Sequence, residues 1–314
     1  MSANAAVATA AVAAQRNEDR SHHIRLAIGY VIAASLILAL AVYGFNYYTL
    51  SQADRPFSAK YAFLKPSGVL GLRLGFLGLA MFLVIFLYPL RKRWAWLGRQ
   101  GSARHWLDFH VLLGLSAPFV IAFHSSFKFR GFAGMAFWLM LAVSLSGVIG
   151  RYLYAQIHSS LNAAEISRKE LQDRQEALAV QLKLQNLLPE SDLRSLLRLP
   201  SVEKVAKLPM VVALAFMMAL DVARAFRVAQ LRRHALGWGV RISTLGGFLR
   251  TRHRELEHAI SLAREEAASA KRILFLERAQ QVFHLWHVVH RPFSYSFAVL
   301  ALIHIGVVIA MGYF

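Results

Sequence analysis

Five long stretches without Asp, Glu, Lys or Arg limit the folds that this chain can adopt. They are Leu26–Tyr48, Leu74–Leu90, Phe109–Phe127, Gly131–Gly150 and Pro292–Phe314. Each approaches or exceeds the ~20 apolar residues that a helix needs to cross a bilayer. With 57% apolar residues and a mean hydropathy of +0.43, the chain has more apolar side chains than one water-soluble core can bury. We predict an all-α, polytopic membrane helical bundle of about five transmembrane helices with a helical cytoplasmic insert.

The apolar and charged segments divide the chain into four parts. We predict a flexible cytoplasmic tail over residues 1–25, transmembrane helices 1–4 over 26–157, a helical cytoplasmic insert over 158–281 and transmembrane helix 5, completing the bundle, over 282–314. Within the insert, apolar periodicity predicts helices over Leu161–Leu188, Val202–Ala235 and Phe248–Gln281. The apolar stretch Leu208–Leu220 is short, and charged positions begin directly after it. It fits a buried or interfacial helix better than a crossing, although a crossing would change the topology.

Basic residues orient the predicted helices. The connector Arg91–His105 contains several Lys and Arg residues and no acid, so the positive-inside rule places it in the cytoplasm. Counting crossings puts the N-terminus inside and the C-terminus outside, in an inner (plasma) membrane. Much of the net charge of +19 flanks the apolar stretches. Contact with membrane lipid explains this charge better than nucleic acid does.

Two pairs of histidines share one spacing. The interval from His110 to His124 equals the interval from His290 to His304. Over this interval a helix rises about 21 Å and completes four turns to within about 40°, so both imidazoles of a pair point the same way at different depths. Histidine inside a membrane span is costly and usually functional.

The predicted topology matches these histidines by depth. Both helices enter from the cytoplasm, so His110 pairs with His290 near the inner face and His124 pairs with His304 near the outer face. Each pair predicts the two axial ligands of a low-spin haem b, and together they predict two haem b groups. The sequence contains no cysteine, which excludes cysteine-ligated iron–sulfur clusters and covalently attached c-type haem from this chain.

Proline affects both histidine pairs. Pro118 lies between His110 and His124 and deprives the Gly114 carbonyl of its helical donor. Pro292 disfavours helical geometry at the residue before it. If the last helix begins at this proline, His287 or His284 replaces His290 as the inner ligand.

These four histidines and their helix order resemble the ferric reductase and NADPH oxidase transmembrane superfamily. In that superfamily the third and fifth transmembrane helices each carry two histidines at this interval or at one position less. The resemblance covers the membrane region, which is about half of the chain, and implies electron transfer across the membrane through two b haems. The chain departs from the family by having no recognisable flavin or nicotinamide module and by inserting the segment 158–281 before the last helix.

The sequence therefore predicts an electron-transfer component that works between a cytoplasmic redox partner protein or the quinone pool and an external acceptor. Respiratory cytochrome b subunits share similar histidine pairs, so quinol oxidation near His284 or His287 is one alternative. A transporter or scaffold without haem, whose histidines are structural or handle protons, is another. The insert predicts a helical hairpin that docks a cytoplasmic partner or a solvated hairpin without one.

Overall fold

The computed structural model describes residues 2–164, 198–235 and 244–312. All regular structure in these segments is helical. In chain order the α-helices are α1 Ser2–Tyr48, α2 Tyr61–Leu64, α3 Val69–Arg91, α4 Ala95–Gly98, α5 Ala103–His124, α6 Gly131–Ala164, α7 Val202–Lys207, α8 Met210–Ala235 and α9 Arg254–Ala310. The all-helical prediction is confirmed for this part of the chain. The helix predicted over 161–188 lies mostly outside the described residues.

Five helical segments are long and apolar enough to cross a membrane. They are Glu18–Tyr48, Tyr61–Arg91, Ala103–His124, Gly131–Ile157 and Arg254–Ala310. Each overlaps one of the five uncharged stretches, so the prediction of about five such helices is confirmed. Apolar side chains on α1 face outward: Val31, Leu38 and Val42 are 64%, 64% and 70% exposed. Such exposure suits contact with lipid.

The beginning of α1 differs from the sequence prediction. We predict a flexible tail over residues 1–25, whereas the structure continues α1 from Ser2. Alanine dominates residues 5–14 and has the highest helix propensity of all residues. The helical backbone therefore extends beyond the apolar stretch that crosses the membrane.

Contacts divide the chain into two compact units. The first comprises Met1–Ile149 and Val289–Phe314, and the second comprises Gly150–Val288. In the first unit α3 packs along α5, and their buried apolar side chains include Leu74, Met81 and Val120. This packing positions the histidines of α5 against the backbone of α3.

A buried arginine ties the connector after α1 to the connector after α5. Arg55 is 6% exposed. Its Nη2 donates to the Tyr48 carbonyl at 2.9 Å and its Nε to the Leu50 carbonyl at 3.2 Å, while Nη1 donates to the Ser126 carbonyl. The guanidinium thus satisfies three main-chain acceptors at the ends of two membrane helices.

The second unit has its own apolar core. Leu153 and Ile157 of α6, Met217 of α8, and Phe275 and Ala279 of α9 are buried together there. The unit also contains a buried ionic cluster, described below. Its helix α8 is not among the five candidate spans.

Candidate functional site

The ring of His124 is held by two glycines of α3. Its Nδ1 donates to the Gly71 carbonyl at 2.8 Å. One turn further along, a Cβ atom on Gly75 would lie 2.8 Å from the His124 Cε1 atom. Only a residue without a side chain allows such close approach. Because Nδ1 carries the proton in this bond, Nε2 retains its lone pair for a metal.

His110, which lies at a different depth on α5, is held in the same way. Its Nδ1 donates to the Ile85 carbonyl at 3.1 Å, and its ring centroid lies 5.2 Å from that of Tyr88. The carbonyl is available because the residue four positions later is Pro89, which has no N–H to donate to it. Again Nε2 is the nitrogen left to act as a ligand.

The two acceptors on α3 have the spacing of the two donors on α5. The interval from Gly71 to Ile85 equals the interval from His110 to His124. One helix therefore carries the imidazoles and its neighbour carries a main-chain acceptor at each level. A hydrogen bond from the nitrogen that does not bind the metal fixes the tautomer and orientation of a metal-ligating histidine.

His290 on α9 has a side-chain acceptor instead. Its Nδ1 lies 2.7 Å from Oγ of Ser146 on α6, and the same hydroxyl donates to the Val143 carbonyl at 2.8 Å. A serine hydroxyl has one proton, so when it donates to Val143 it accepts from His290. His290 then has the same tautomer as His110 and His124.

Helix α9 runs without a break from Arg254 to Ala310 and includes Pro292. The helix therefore does not begin at this proline, and the helical phase between His290 and His304 is retained. Membrane helices tolerate proline because neighbours can satisfy the freed backbone groups. The alternative ligand His287 donates from Nδ1 to the Phe283 carbonyl of its own helix at 3.1 Å, and His284 is exposed.

His304 lies close enough to His124 for the two rings to interact electrostatically. The pairing of these two residues at one haem stays a prediction. For the inner pair, the described hydrogen bonds attach His110 to α3 and His290 to α6.

Proline also frees a carbonyl within α5, as expected from its position. Pro118 leaves the Gly114 carbonyl without a helical donor. Ser144 of α6 supplies one, with its Oγ donating at 2.7 Å. Helix α5 consequently bonds to α3 and to α6 through backbone acceptors.

Two histidine ligands are enough for a haem, whereas a bare metal ion usually needs more ligands from the protein. Within residues 2–164, 198–235 and 244–312, no group of three or more His, Cys, Asp or Glu side chains is placed to hold a metal. A protein-held transition metal usually needs at least three such ligands. Haem iron takes four nitrogens from the porphyrin and requires only one or two from the protein. His110 and His124, which each use Nδ1 to bond to α3, could each provide one such nitrogen.

Sequence reasoning missed a buried polar cluster next to His110. Nε2 of His22 lies 3.0 Å from Oδ2 of Asp108, and both residues are buried. The ring of His22 stacks on that of His105 with centroids 3.7 Å apart, and His105 lies 3.7 Å from Asp19. Asp108 was the available signal, since it is the one acidic residue in the third candidate span.

Comparisons with known proteins add no relative: no protein-family model, no curated protein and no solved structure matches the chain. The resemblance noted above therefore rests on the four histidines, their spacing and their helix order.

Proposed function

We propose that the chain is a membrane cytochrome b that holds two haem b groups and passes electrons across the bilayer. His110 with His290 would ligate the inner haem, and His124 with His304 the outer haem. The observation that supports this best is the state of the imidazoles. His110 and His124 both donate from Nδ1 to a carbonyl of α3, which gives both rings the tautomer whose Nε2 lone pair can bind iron.

In this activity the protein's own residues would orient the imidazole ligands and separate the haems from water. Each Nδ1–H bond prevents its ring from rotating and raises the basicity of Nε2. Helix α5 places its two imidazoles about 21 Å apart along the membrane normal. Two histidines at each level would hold one haem through their imidazole nitrogens. When bound, the haems would supply reversible one-electron redox chemistry.

The charge pattern supports one orientation of the chain in the membrane. The basic connector between Arg91 and His105 would face the cytoplasm, with the N-terminus on the same side. The inner haem would then exchange electrons with a cytoplasmic redox protein or with quinone. The outer haem would exchange them with an acceptor outside. The membrane would be the inner (plasma) membrane.

The test is a reduced-minus-oxidised visible spectrum with a pyridine haemochrome assay on the purified full-length protein. We expect two b haems per chain, falling to one in His124→Ala and in His304→Ala. His258→Ala is the matched control, because His258 is exposed and belongs to the second unit, which contains none of the four candidate ligands; it should retain both haems. A colourless protein from haem-sufficient cells would contradict the proposal and favour a transporter or scaffold.

A second candidate function is quinol oxidation at the inner haem, and one observation favours it. A cleft of about 280 Å³ lies beside His110, with Tyr88, His105 and Trp106 in its wall. Apolar and aromatic walls with a few polar groups are typical of binding sites for small organic ligands. Under this function, quinol would reduce the purified protein, and Trp106→Ala would slow that reduction without loss of haem.

A further inference from the structure

The exposed face of α8 is entirely apolar over four turns. Between Val211 and Phe226, every side chain that the structure exposes is Val, Ala, Phe or Met. Val211 is 73% exposed, Met218 40%, Val222 58% and Phe226 56%. A helix of a water-soluble unit normally turns charged residues outward and apolar ones inward. This helix needs a nonpolar environment on its outer side.

The charged residues between Val211 and Phe226 point inward. Asp221 accepts hydrogen bonds from Nζ of Lys271 through both oxygens at 2.5 Å and from the Tyr152 hydroxyl at 2.6 Å. Arg224 lies 3.5 Å from the same carboxylate and donates to the Ala267 carbonyl at 3.0 Å. Burial lowers the pKa of the Arg224 guanidinium, and the neighbouring Asp221 carboxylate opposes that shift. The charges are thus neutralised inside the unit and leave the outer face apolar.

The inner face of α8 packs where α6 leaves its membrane span. Met217 is buried with Leu153 and Ile157, and Ile157 is the last residue of the fourth candidate span. The exposed face from Val211 to Phe226 is about 24 Å long. This is shorter than the ~30 Å hydrocarbon layer, so the face suits a helix lying along the membrane surface.

Basic residues bracket this apolar face. Lys204 and Lys207 of α7 precede it and Arg233 of α8 follows it, all exposed, with Glu203 as the exposed acid nearby. We propose that α8 lies in the membrane plane with its apolar face inserted into the leaflet where α6 ends, and that Lys204, Lys207 and Arg233 bind anionic phospholipid headgroups. The inference does not depend on haem.

The chain contains no cysteine, so single-cysteine variants of the full-length protein can be spin-labelled without background. We would label Met218→Cys, Val222→Cys and Phe226→Cys on α8, with Ser261→Cys on α9 as the matched control, since Ser261 is exposed in the same unit. The protein would be reconstituted in vesicles that contain phosphatidylglycerol. At each position, the relaxation of the spin label caused by oxygen, which partitions into lipid, would be compared with the relaxation caused by a water-soluble nickel complex.

We expect the oxygen-to-nickel ratio to be several-fold higher at all three α8 positions than at the control. In vesicles of phosphatidylcholine alone, or after Lys204→Gln with Lys207→Gln, the ratio should fall towards the control value. Equal ratios at all four positions would overturn the proposal. So would strong dipolar broadening between labels, which would indicate that a second copy covers the face. Labelling of Val211→Cys from the opposite side of sealed vesicles would show that α8 crosses, and would also overturn it.

Discussion

Replacing Gly75 by alanine should displace the His124 ring. The added Cβ would lie 2.8 Å from Cε1 and 2.9 Å from Nδ1 of that ring. Carbon atoms in contact settle at roughly 3.5 Å, so the ring must retreat by about 0.7 Å. Movement directly away from α3 would lengthen the 2.8 Å bond from Nδ1 to the Gly71 carbonyl to about 3.5 Å, beyond the normal range of hydrogen bonds.

The expected cost follows from these two effects. Overpacking typically costs about 1 to 3 kcal/mol, and loss of the hydrogen bond costs about 1 kcal/mol more. The higher helix propensity of alanine returns up to about 1 kcal/mol. We therefore expect a net destabilisation of about 1 to 3 kcal/mol. Affinity for the outer haem should fall about 10- to 100-fold, as expected when a metal-ligating histidine loses the hydrogen bond that orients it.

Stability would be measured by denaturant titration in detergent micelles, and the outer haem by pyridine haemochrome and low-temperature EPR, whose g-values respond to imidazole orientation. Gly306→Ala is the control, because a Cβ atom there would meet nothing within 4 Å; it should retain wild-type spectra. Gly75→Ala with unchanged stability and unchanged EPR signals for both haems would refute the reasoning, because the ring would then not rest against α3.

Three further changes test other contacts. Ser146→Ala removes the acceptor of His290 and should shift the EPR signal of the inner haem and weaken the binding of that haem about 10- to 100-fold. Ser146→Thr should preserve both the signal and the binding. Loss of the outer-haem signal instead would contradict the pairing. Asp221→Ala should destabilise the protein by about 3 to 5 kcal/mol because it leaves Lys271 buried and unpaired. Adding Lys271→Met should recover much of this loss of stability in the same denaturant titration. No recovery would mean that the ion pair is not the cause. Arg55→Met should lower the stability of the protein by at least about 3 kcal/mol, since three main-chain acceptors lose a charged donor. Lys92→Met, at an exposed position, should change the stability little. Equal effects of the two substitutions would count against the Arg55 contacts.

The membrane helices were predictable from the sequence because their signal is simple. Lipid imposes long uncharged stretches, and all five candidate spans overlap those stretches. The outer histidine pair, His124 with His304, stays a prediction that rests on helix order and on the common face that helical geometry gives residues at this interval.

The partners of the histidines were harder to predict. No side-chain pattern identifies the Gly71 carbonyl as an acceptor, because every residue has a carbonyl. Pro89 was a usable signal for Ile85, by the same reasoning that made Pro118 a signal for Gly114. The cluster of His22 with Asp108 joins residues 86 positions apart, a separation that local periodicity does not address.

Pro89 also determines which substitutions on α3 would disturb the hydrogen bond of His110. Any amino acid at position 85 has a main-chain carbonyl, so the identity of Ile85 carries little information about the bond. At position 89, by contrast, every other residue restores an N–H that competes for that oxygen. The orientation of the His110 ring therefore depends on the absence of an N–H at Pro89, four residues after the acceptor Ile85. A search for polar or metal-binding side chains would not find this position.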